Sequence, residues 1–184
     1  MSDDFDARLQ ALVGLPINDR GPTVAPDPVN VPMIRHWAAA FEDDCSVYLD
    51  EQAAASSAHG TIVAPPLMLQ TWTMATPKIT GIAERGGSPV DGPGARVLEL
   101  LDGAGFVGTL ASNSEFDIIR YLHVGEVVSS TTVLESVSPA KTTRIGVGHF
   151  VTWVTTYRVG DPIDGEVVGT QRFRILKFRP EAAA

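Results

Sequence analysis

Residues 62–74 read IVAPPLMLQTWTM, and the apolar side chains of this stretch indicate where the core of the domain lies. From position 66 onward they would cover nearly every side of a helix; they are Leu67, Met68, Leu69, Trp72 and Met74. A helix of this kind must be buried on most sides. Pro65 and Pro66 suit its first turn, because proline needs no amide donor there. We therefore expect a buried apolar helix over residues 66–74.

Long strands are predicted after this helix. Residues 105–111, 127–137, 143–159 and 167–179 are rich in valine, threonine and aromatic side chains. Within 143–159, five residues share one parity and would line a core face: Val147, Val151, Trp153, Tyr157 and Val159. Helices followed by a run of antiparallel strands predict the α+β class, with a sheet packed on helix.

Upstream of the apolar helix, the chain predicts shorter elements. Residues 1–13 form a weakly amphipathic helix, and residues 16–28 an arm without regular structure. Asn30 caps a helix that buries Ile34, Trp37, Ala38 and Phe41. Further helices are expected at 50–57 and 95–102, with a Gly/Pro-rich loop at 84–94 that includes Gly92 and Gly94. We divide the chain into an N-terminal helix and arm (1–28), one domain (29–180) and a tail (181–184).

Composition excludes several classes of function. The formal net charge of −8 disfavours nucleic-acid binding, which depends on cationic patches. The single cysteine, Cys45, permits no intrachain disulfide. The longest apolar stretch, residues 62–75, is too short and too polar to span a bilayer, and no secretory signal is evident. We therefore expect a soluble cytoplasmic protein.

The four histidines are scattered, and none has ligand spacing with Cys45, so no metal site is predicted. His149 lies on the core-facing parity of its strand and is expected to be buried with its hydrogen bonds satisfied. His36 is expected to be exposed, His59 to lie in a turn and His123 to be solvated.

Four segments resemble a known family: IRHWAAAFEDDCSVYLDEQAA (34–54), IVAPPLM (62–68), NSEFDIIRYLHVGE (113–126) and RFRILKFRP (172–180). They are similar to the MaoC-like (R)-specific enoyl-CoA hydratase superfamily, of the N-terminal MaoC dehydratase type. Within it, the likeness is greatest to the MaoC-like half of the larger subunit of bacterial steroid side-chain enoyl-CoA hydratases. The resemblance covers about residues 28–180. It implies a hot-dog fold, in which an antiparallel sheet wraps around a buried apolar helix, here with added N-terminal helices.

The catalytic signature of that family, Gly-Asp-x-Asn-Pro-Leu-His, is degenerate in this chain. Asp43 keeps the acidic position, but Tyr48 stands where the histidine is expected, and Cys45 and Ser46 replace Asn and Pro. A phenol with an ordinary pKa near 10 is a poor base at neutral pH. The resemblance therefore implies no catalytic residue here. Asp43 is either a retained carboxylate or a cap residue, and Tyr48 either contacts a ligand or packs.

A second departure lies at the start of the apolar helix. Active members place a glycine there, and its amide holds the thioester oxygen. This chain has Ala64, Pro65 and Pro66 at the comparable place, and proline has no amide hydrogen. The resemblance thus implies that the oxyanion donor is also missing.

The resemblance implies a non-catalytic subunit of a heteromeric enoyl-CoA hydratase that acts on a bulky, steroid-type acyl-CoA without a cofactor. A small hot-dog partner would supply the Asp and His. Met68, Trp72 and Met74 are either core residues or the wall of an acyl tunnel. The basic residues Arg172, Arg174, Lys177 and Arg179 either protect an exposed edge strand or contact CoA phosphates or the partner.

Two other functions remain open at this level. The chain could be a self-sufficient hydratase or dehydratase that uses Asp43 with another base, such as His59. It could also be a scaffold that joins an acyl-CoA enzyme to an aldolase or thiolase-like protein.

Overall fold

One antiparallel sheet organises the residues described in the computed structural model, which are 2–17, 19–81 and 95–180. Its strands are β1 (Thr23–Val24), β2 (Gly108–Ile118), β3 (Val128–Val137), β4 (Lys141–Thr143), β5 (Gly146–Val159) and β6 (Glu166–Pro180). They lie in the order β1-β3-β5-β6-β2, with β4 paired to the start of β5. The predicted loop at 84–94, with Gly92 and Gly94, and the tail at 181–184 lie outside the described residues.

The strand predictions are confirmed for β3, β5 and β6, whereas β2 is longer than predicted. The prediction ended at residue 111, but the strand continues to Ile118 through the mostly polar sequence SNSEFD. β2 is an edge strand that pairs with β6, and most of its side chains are exposed. A strand of this kind lacks the apolar alternation by which strands are recognised in a sequence.

The helices are α1 (Ser2–Gln10), α2 (Val31–Phe41), α3 (Ser46–Leu49), α4 (Glu51–Ala55) and α5 (Arg96–Gly103), with a 3₁₀ helix at Pro66–Thr73. All but α3 were predicted, although the apolar helix has 3₁₀ geometry rather than α geometry. The single turn of α3 is too short to show helical periodicity. Its residues nevertheless carry the degenerate motif, so this turn positions the candidate site.

The predicted start of α2 is confirmed, since the Asn30 side chain accepts a hydrogen bond from the amide of Met33 at 3.0 Å. Ile34 and Ala38 are buried as expected. The expected burial of Phe41 is wrong: it is exposed and stacks on Trp37, with ring centroids 4.3 Å apart. The helix ends at Phe41, so this side chain lies beyond the surface that the sheet covers.

The 3₁₀ helix is the centre of the first core cluster. Met68, Leu69 and Trp72 are buried against α2, α4 and the sheet, which confirms the expected buried apolar helix. Burial on most sides is nevertheless wrong for Leu67 and Met74, which are exposed in this chain. One side of the helix is therefore left uncovered by the described residues.

Two residues of β6 explain how closely the helix approaches the sheet. A Cβ on Gly169 would lie 2.8 Å from Leu69 Cδ2 and 2.8 Å from the Asp117 carbonyl oxygen, so only glycine fits there. The buried Gln171 donates to Gln70 Oε1 at 2.7 Å and accepts from the Tyr157 hydroxyl at 2.9 Å. These contacts fix the helix on the sheet with a satisfied polar network.

The second core cluster lies between α1, α5 and the other end of the sheet. Its buried members are Leu9, Val97, Leu101, Phe106, Leu134, Val137, Val151 and Ile175. Gln10 also donates through its side chain to the Val137 carbonyl at 2.8 Å. The first helix thus shares its core with the strands of the domain.

The arm after α1 was predicted to lack regular structure, and this is wrong in part. The amide of Ile17 donates to the Thr132 carbonyl at 3.1 Å, and that of Ala25 donates to the Val128 carbonyl at 2.8 Å. Between these two points, β1 pairs with β3. The arm pairs with the edge of β3 because the backbone groups of that edge need hydrogen-bond partners.

The parity predicted for β5 holds over most of the strand. Val151 and Tyr157 are buried, and so is His149, whose Nδ1 lies 2.9 Å from the Ser138 carbonyl oxygen. Val147 is exposed, against expectation, because it lies in the hairpin with β4 at the end of the sheet.

Among the described helices, none has the length and apolar character needed to cross a membrane.

We predict that α1 is an integral part of the domain. Leu9 is 1% exposed, so Leu9→Ala should lower the free energy of unfolding by about 2–4 kcal/mol, measured by urea denaturation. Leu15→Ala is the matched control, because Leu15 is 44% exposed and should cost far less. Equal losses in the two variants would show that α1 does not contribute to the core.

Candidate functional site

The degenerate motif and the start of the 3₁₀ helix meet beside the segment that precedes β3. Val63 forms an isolated β-bridge with His123, and the Ala64 amide donates to the Leu122 carbonyl at 2.9 Å. Tyr48, in α3, lies against Tyr121 of the same segment. Three regions that are far apart in sequence thus form one candidate site.

Asp43 serves the local turn in this site. Its Oδ1 accepts the amide of Cys45 at 3.1 Å, and its own amide donates to the Ala38 carbonyl at 2.9 Å. The carboxylate therefore orders the connection between α2 and α3. This geometry favours the cap interpretation of Asp43.

Tyr48 is half-buried, and burial is the main reason that its pKa lies well above the ordinary value. The adjacent Tyr121 hydroxyl raises the pKa further, through charge and hydrogen bonding. The Tyr48 hydroxyl stays protonated at neutral pH, so it can donate a hydrogen bond but cannot accept a proton from water.

The start of the 3₁₀ helix offers few free amide donors. The amide of Ala64 already donates to the Leu122 carbonyl. Pro65 and Pro66 have no amide hydrogen. The amide of Met68 donates to the Pro65 carbonyl at 3.0 Å. This geometry supports the expectation that the oxyanion donor of the family is missing here.

A cleft of about 330 Å³ opens in this region, lined by Ala58, His59, Ile119, Arg120, Tyr121 and His123. The His59 ring lies 4.6 Å from the Tyr121 ring, and both His59 and His123 are half-buried. Only the pairing of Val63 with His123 brings the two imidazoles to one cleft, and local sequence patterns do not predict that pairing.

Arg120 holds the wall of this cleft in place. Its guanidinium donates to Glu126 at 2.9 and 3.0 Å and to Glu166 at 2.9 and 2.8 Å. Hydrogen bonds that Arg120 donates, first to Glu166 and then to Glu126, raise the pKa of Arg120, and Arg120 in turn lowers the pKa of Glu166. The cation is fully engaged within the chain, so its role is to order the segment that carries Tyr121 and His123.

The three residues predicted to line an acyl tunnel do not form one wall in this chain. Met68 and Trp72 are buried in the first core cluster, whereas Met74 is 63% exposed. The indole Nε1 of Trp72 is buried without a hydrogen-bond partner among the described residues. Met74, which follows the 3₁₀ helix, is exposed, as is Leu67 near the start of the helix.

The basic run of β6 is divided between two faces of the sheet. Arg172 is exposed and bonds Glu135 through Nη2 at 2.7 Å, and Arg174 Nε lies 3.2 Å from the Thr152 hydroxyl. β6 lies between β5 and β2, so the interpretation that these cations protect an exposed edge strand is wrong. On the other face, Arg179 donates to the Ala104 carbonyl and lies over the Phe106 ring.

Lys177 differs from the exposed arginines of this run. It is 4% exposed, and its Nζ lies 2.5 Å from Asp102 Oδ1 and 2.9 Å from the Thr109 hydroxyl. A buried ammonium with these partners does not reach a phosphate or a partner surface. The geometry favours a structural role over the predicted contact.

No group of three or more His, Cys, Asp or Glu side chains among the described residues is placed to hold a metal ion. The site therefore offers hydrogen-bonding and aromatic groups: two imidazoles, two phenols and a fully engaged arginine.

Comparison with known proteins identifies the family. Residues 20–170 match the family described as "FAS1-like, dehydratase domain region". The chain is 43% identical to a probable enoyl-CoA hydratase alpha subunit of Thermomonospora curvata, over 97% of this chain and 53% of that protein. It is 41% identical to the 3-oxo-4,17-pregnadiene-20-carboxyl-CoA hydratase alpha subunit of Mycobacterium tuberculosis, over 86% of this chain and 48% of that protein. The chain thus spans about half the length of these relatives.

A solved structure shows the same fold. A chain of the ChsH1–ChsH2 complex from Mycobacterium tuberculosis aligns with a TM-score of 0.78 and 34% identity, over 98% of this chain and 94% of that chain. This likeness confirms the predicted hot-dog fold, with the sheet wrapped on the 3₁₀ helix.

The Lys177–Asp102 pair provides a test of the structural role of Lys177. Asp102→Ala leaves a buried ammonium without its carboxylate and should destabilise the fold by about 1–3 kcal/mol. Lys177→Met removes the charge that needs a partner and should change stability by less than about 1 kcal/mol. Urea denaturation of both variants measures the difference. An Asp102→Ala variant as stable as the unchanged chain would contradict this role.

Proposed function

The chain belongs to the family of FAS1-like dehydratase domain regions, and on this premise we propose that it is a non-catalytic MaoC-like half of a heteromeric enoyl-CoA hydratase. The substrate class is a bulky, steroid-type enoyl-CoA, which enters as the thioester without a further cofactor. The chain would shape the acyl site and complete a dimer, and a small hot-dog subunit would carry the catalytic Asp and His.

Tyr48 is the observation that carries this proposal. It occupies the position of the family's general base, yet its hydroxyl is held protonated by burial and by Tyr121. Asp43 is directed to the local turn, and the oxyanion position is occupied by prolines. Hydration requires a group that takes a proton from water and a donor for the thioester oxygen. This chain presents neither in the family's positions.

The surface around the site supports a partner. Exposed apolar side chains lie on the 3₁₀ helix and on the segment before β3: Leu67, Met74, Ile119 and Val124. β2 is a long edge strand whose outer backbone groups can pair with a second sheet. Both relatives are named as alpha subunits, and the similar structure is a complex. A partner that extends the sheet at β2 would also cover the uncovered side of the helix.

The acyl group would lie along that side of the 3₁₀ helix. Met74, which is exposed, would contact it directly, whereas the buried Met68 and Trp72 would form an adaptable apolar layer behind. Arg172 and Arg174 are exposed and remain candidates for contact with the partner or with CoA phosphates. Lys177 is not a candidate for these contacts, because its ammonium is paired with Asp102.

A self-sufficient hydratase is the second candidate, and the cleft with two imidazoles is the observation that favours it. His59 and His123 line the same 330 Å³ space. Either imidazole has the chemistry of a general base at neutral pH. The base would then stand outside the position that the family uses.

Hydration assays distinguish the two candidates. The chain alone should hydrate an enoyl-CoA at least about 100-fold more slowly than its complex with a small hot-dog subunit that keeps the Asp–His pair. The measurement is the loss of enoyl absorbance with the chain alone, the partner alone and the mixture. Full activity of the chain alone would refute the non-catalytic role.

His59→Ala provides the control, with His36→Ala as its matched variant because His36 is exposed on α2. If His59 were the base, His59→Ala would lower turnover by about 10²-fold or more, and His36→Ala would not. Under the proposal, the two variants of the chain give complexes with similar turnover.

A further inference from the structure

A second cleft, of about 570 Å³, lies between the N-terminal arm and the strands β3 and β5. The arm is bonded to β3 at Ile17 and again at Ala25, and the segment between these points forms one wall. None of the residues that line it belongs to the cleft beside Tyr48. It is a separate site candidate, and its occupancy does not depend on the proposed hydratase function.

Arg158 contributes a cation to the wall of this cleft. Its Nε is buried and has no hydrogen-bond partner among the described residues, and no carboxylate of the described part of the chain pairs with it. Ser129, its cross-strand neighbour, is likewise buried with an unpartnered hydroxyl. Because Arg158 lines the cleft and no described carboxylate neutralises its guanidinium, an anion bound in the cleft would meet an uncompensated positive charge.

The rest of the lining combines apolar surfaces with hydroxyl groups. The apolar members are Pro16, Ile17, Pro22, Val133 and Ile163. Thr23, Ser130 and Thr131 also line the cleft. The volume lies within the range of about 300–1,000 Å³ that is typical of small-molecule sites, which are largely apolar with a few placed polar groups.

We propose that this cleft binds a small organic carboxylate, with its carboxylate on Arg158 and its apolar body against the arm. The planar guanidinium matches a carboxylate in a two-point hydrogen bond. One uncompensated cation balances one negative charge, which favours a monoanion over a phosphate dianion. Asp19, which also lines the cleft, is paired with Arg96 and so does not compensate Arg158.

The test compares cyclohexanecarboxylate with cyclohexylmethanol, which has the same ring without the charge. Binding to the full chain is measured by calorimetry and by ligand-observed NMR. The carboxylate should bind at least about tenfold more tightly than the alcohol, because a charge-assisted hydrogen bond is roughly twice as strong as a neutral one. Arg158→Gln should abolish this preference, and Arg158→Lys should keep part of it.

Two further variants locate the site. Thr131→Phe should fill the cleft and abolish binding while Arg158 remains, and its strand position tolerates an aromatic side chain. Arg144→Gln, at the other end of β5, removes an exposed arginine and should leave binding unchanged. Circular dichroism of each variant confirms that the fold is retained.

Three outcomes would overturn the proposal. The first is no binding of the carboxylate at millimolar concentration. The second is binding that survives both Arg158→Gln and Thr131→Phe, which places the ligand elsewhere. The third is inorganic phosphate that competes as well as the carboxylate, which would make the cleft a general anion site.

Discussion

Burial of the 3₁₀ helix against the sheet is the constraint on which the remaining structure depends. A helix with apolar side chains all round has to be covered, and the sheet supplies that cover only by close approach. Gly169 permits the approach because it has no Cβ, and Gln171 satisfies the polar atoms that the contact buries. α2 and α4 then close over Met68 and Trp72. The position of the candidate site follows, since the helix begins where Ala64 is bonded to Leu122.

The same packing orders the candidate site. Tyr48 lies against Tyr121, and its burial there raises its pKa. Arg120 orders the neighbouring segment through hydrogen bonds to Glu126 and Glu166. A site that is built for turnover keeps a base free near neutral pH. Under the proposed function, the ordered groups support a surface instead, in which the uncovered side of the 3₁₀ helix and the free edge of β2 are available to a partner.

Several cationic side chains of this acidic chain are paired with carboxylates. Arg120, Arg172 and Lys177 are each engaged by carboxylates that fix segments or sheet faces. Arg158 has no such partner among the described residues, although part of its guanidinium is buried. In a chain of net charge −8, an uncompensated cation in a cleft indicates a ligand more strongly than a cation on a basic surface would. This contrast separates the cleft under the arm from the basic run of β6.

Periodicity in the sequence determined α2, the apolar helix and three of the long strands. The replacement of the family's histidine by Tyr48 is an expectation that rests on matched motif positions. The tertiary structure alone decided the length of β2, the exposure of Phe41 and Met74 and the burial of Lys177 beside Asp102. It also brought His59 and His123 to one cleft and placed the arm over Arg158. Such features arise from contacts between residues far apart in the chain, which leave no periodic signal in the sequence.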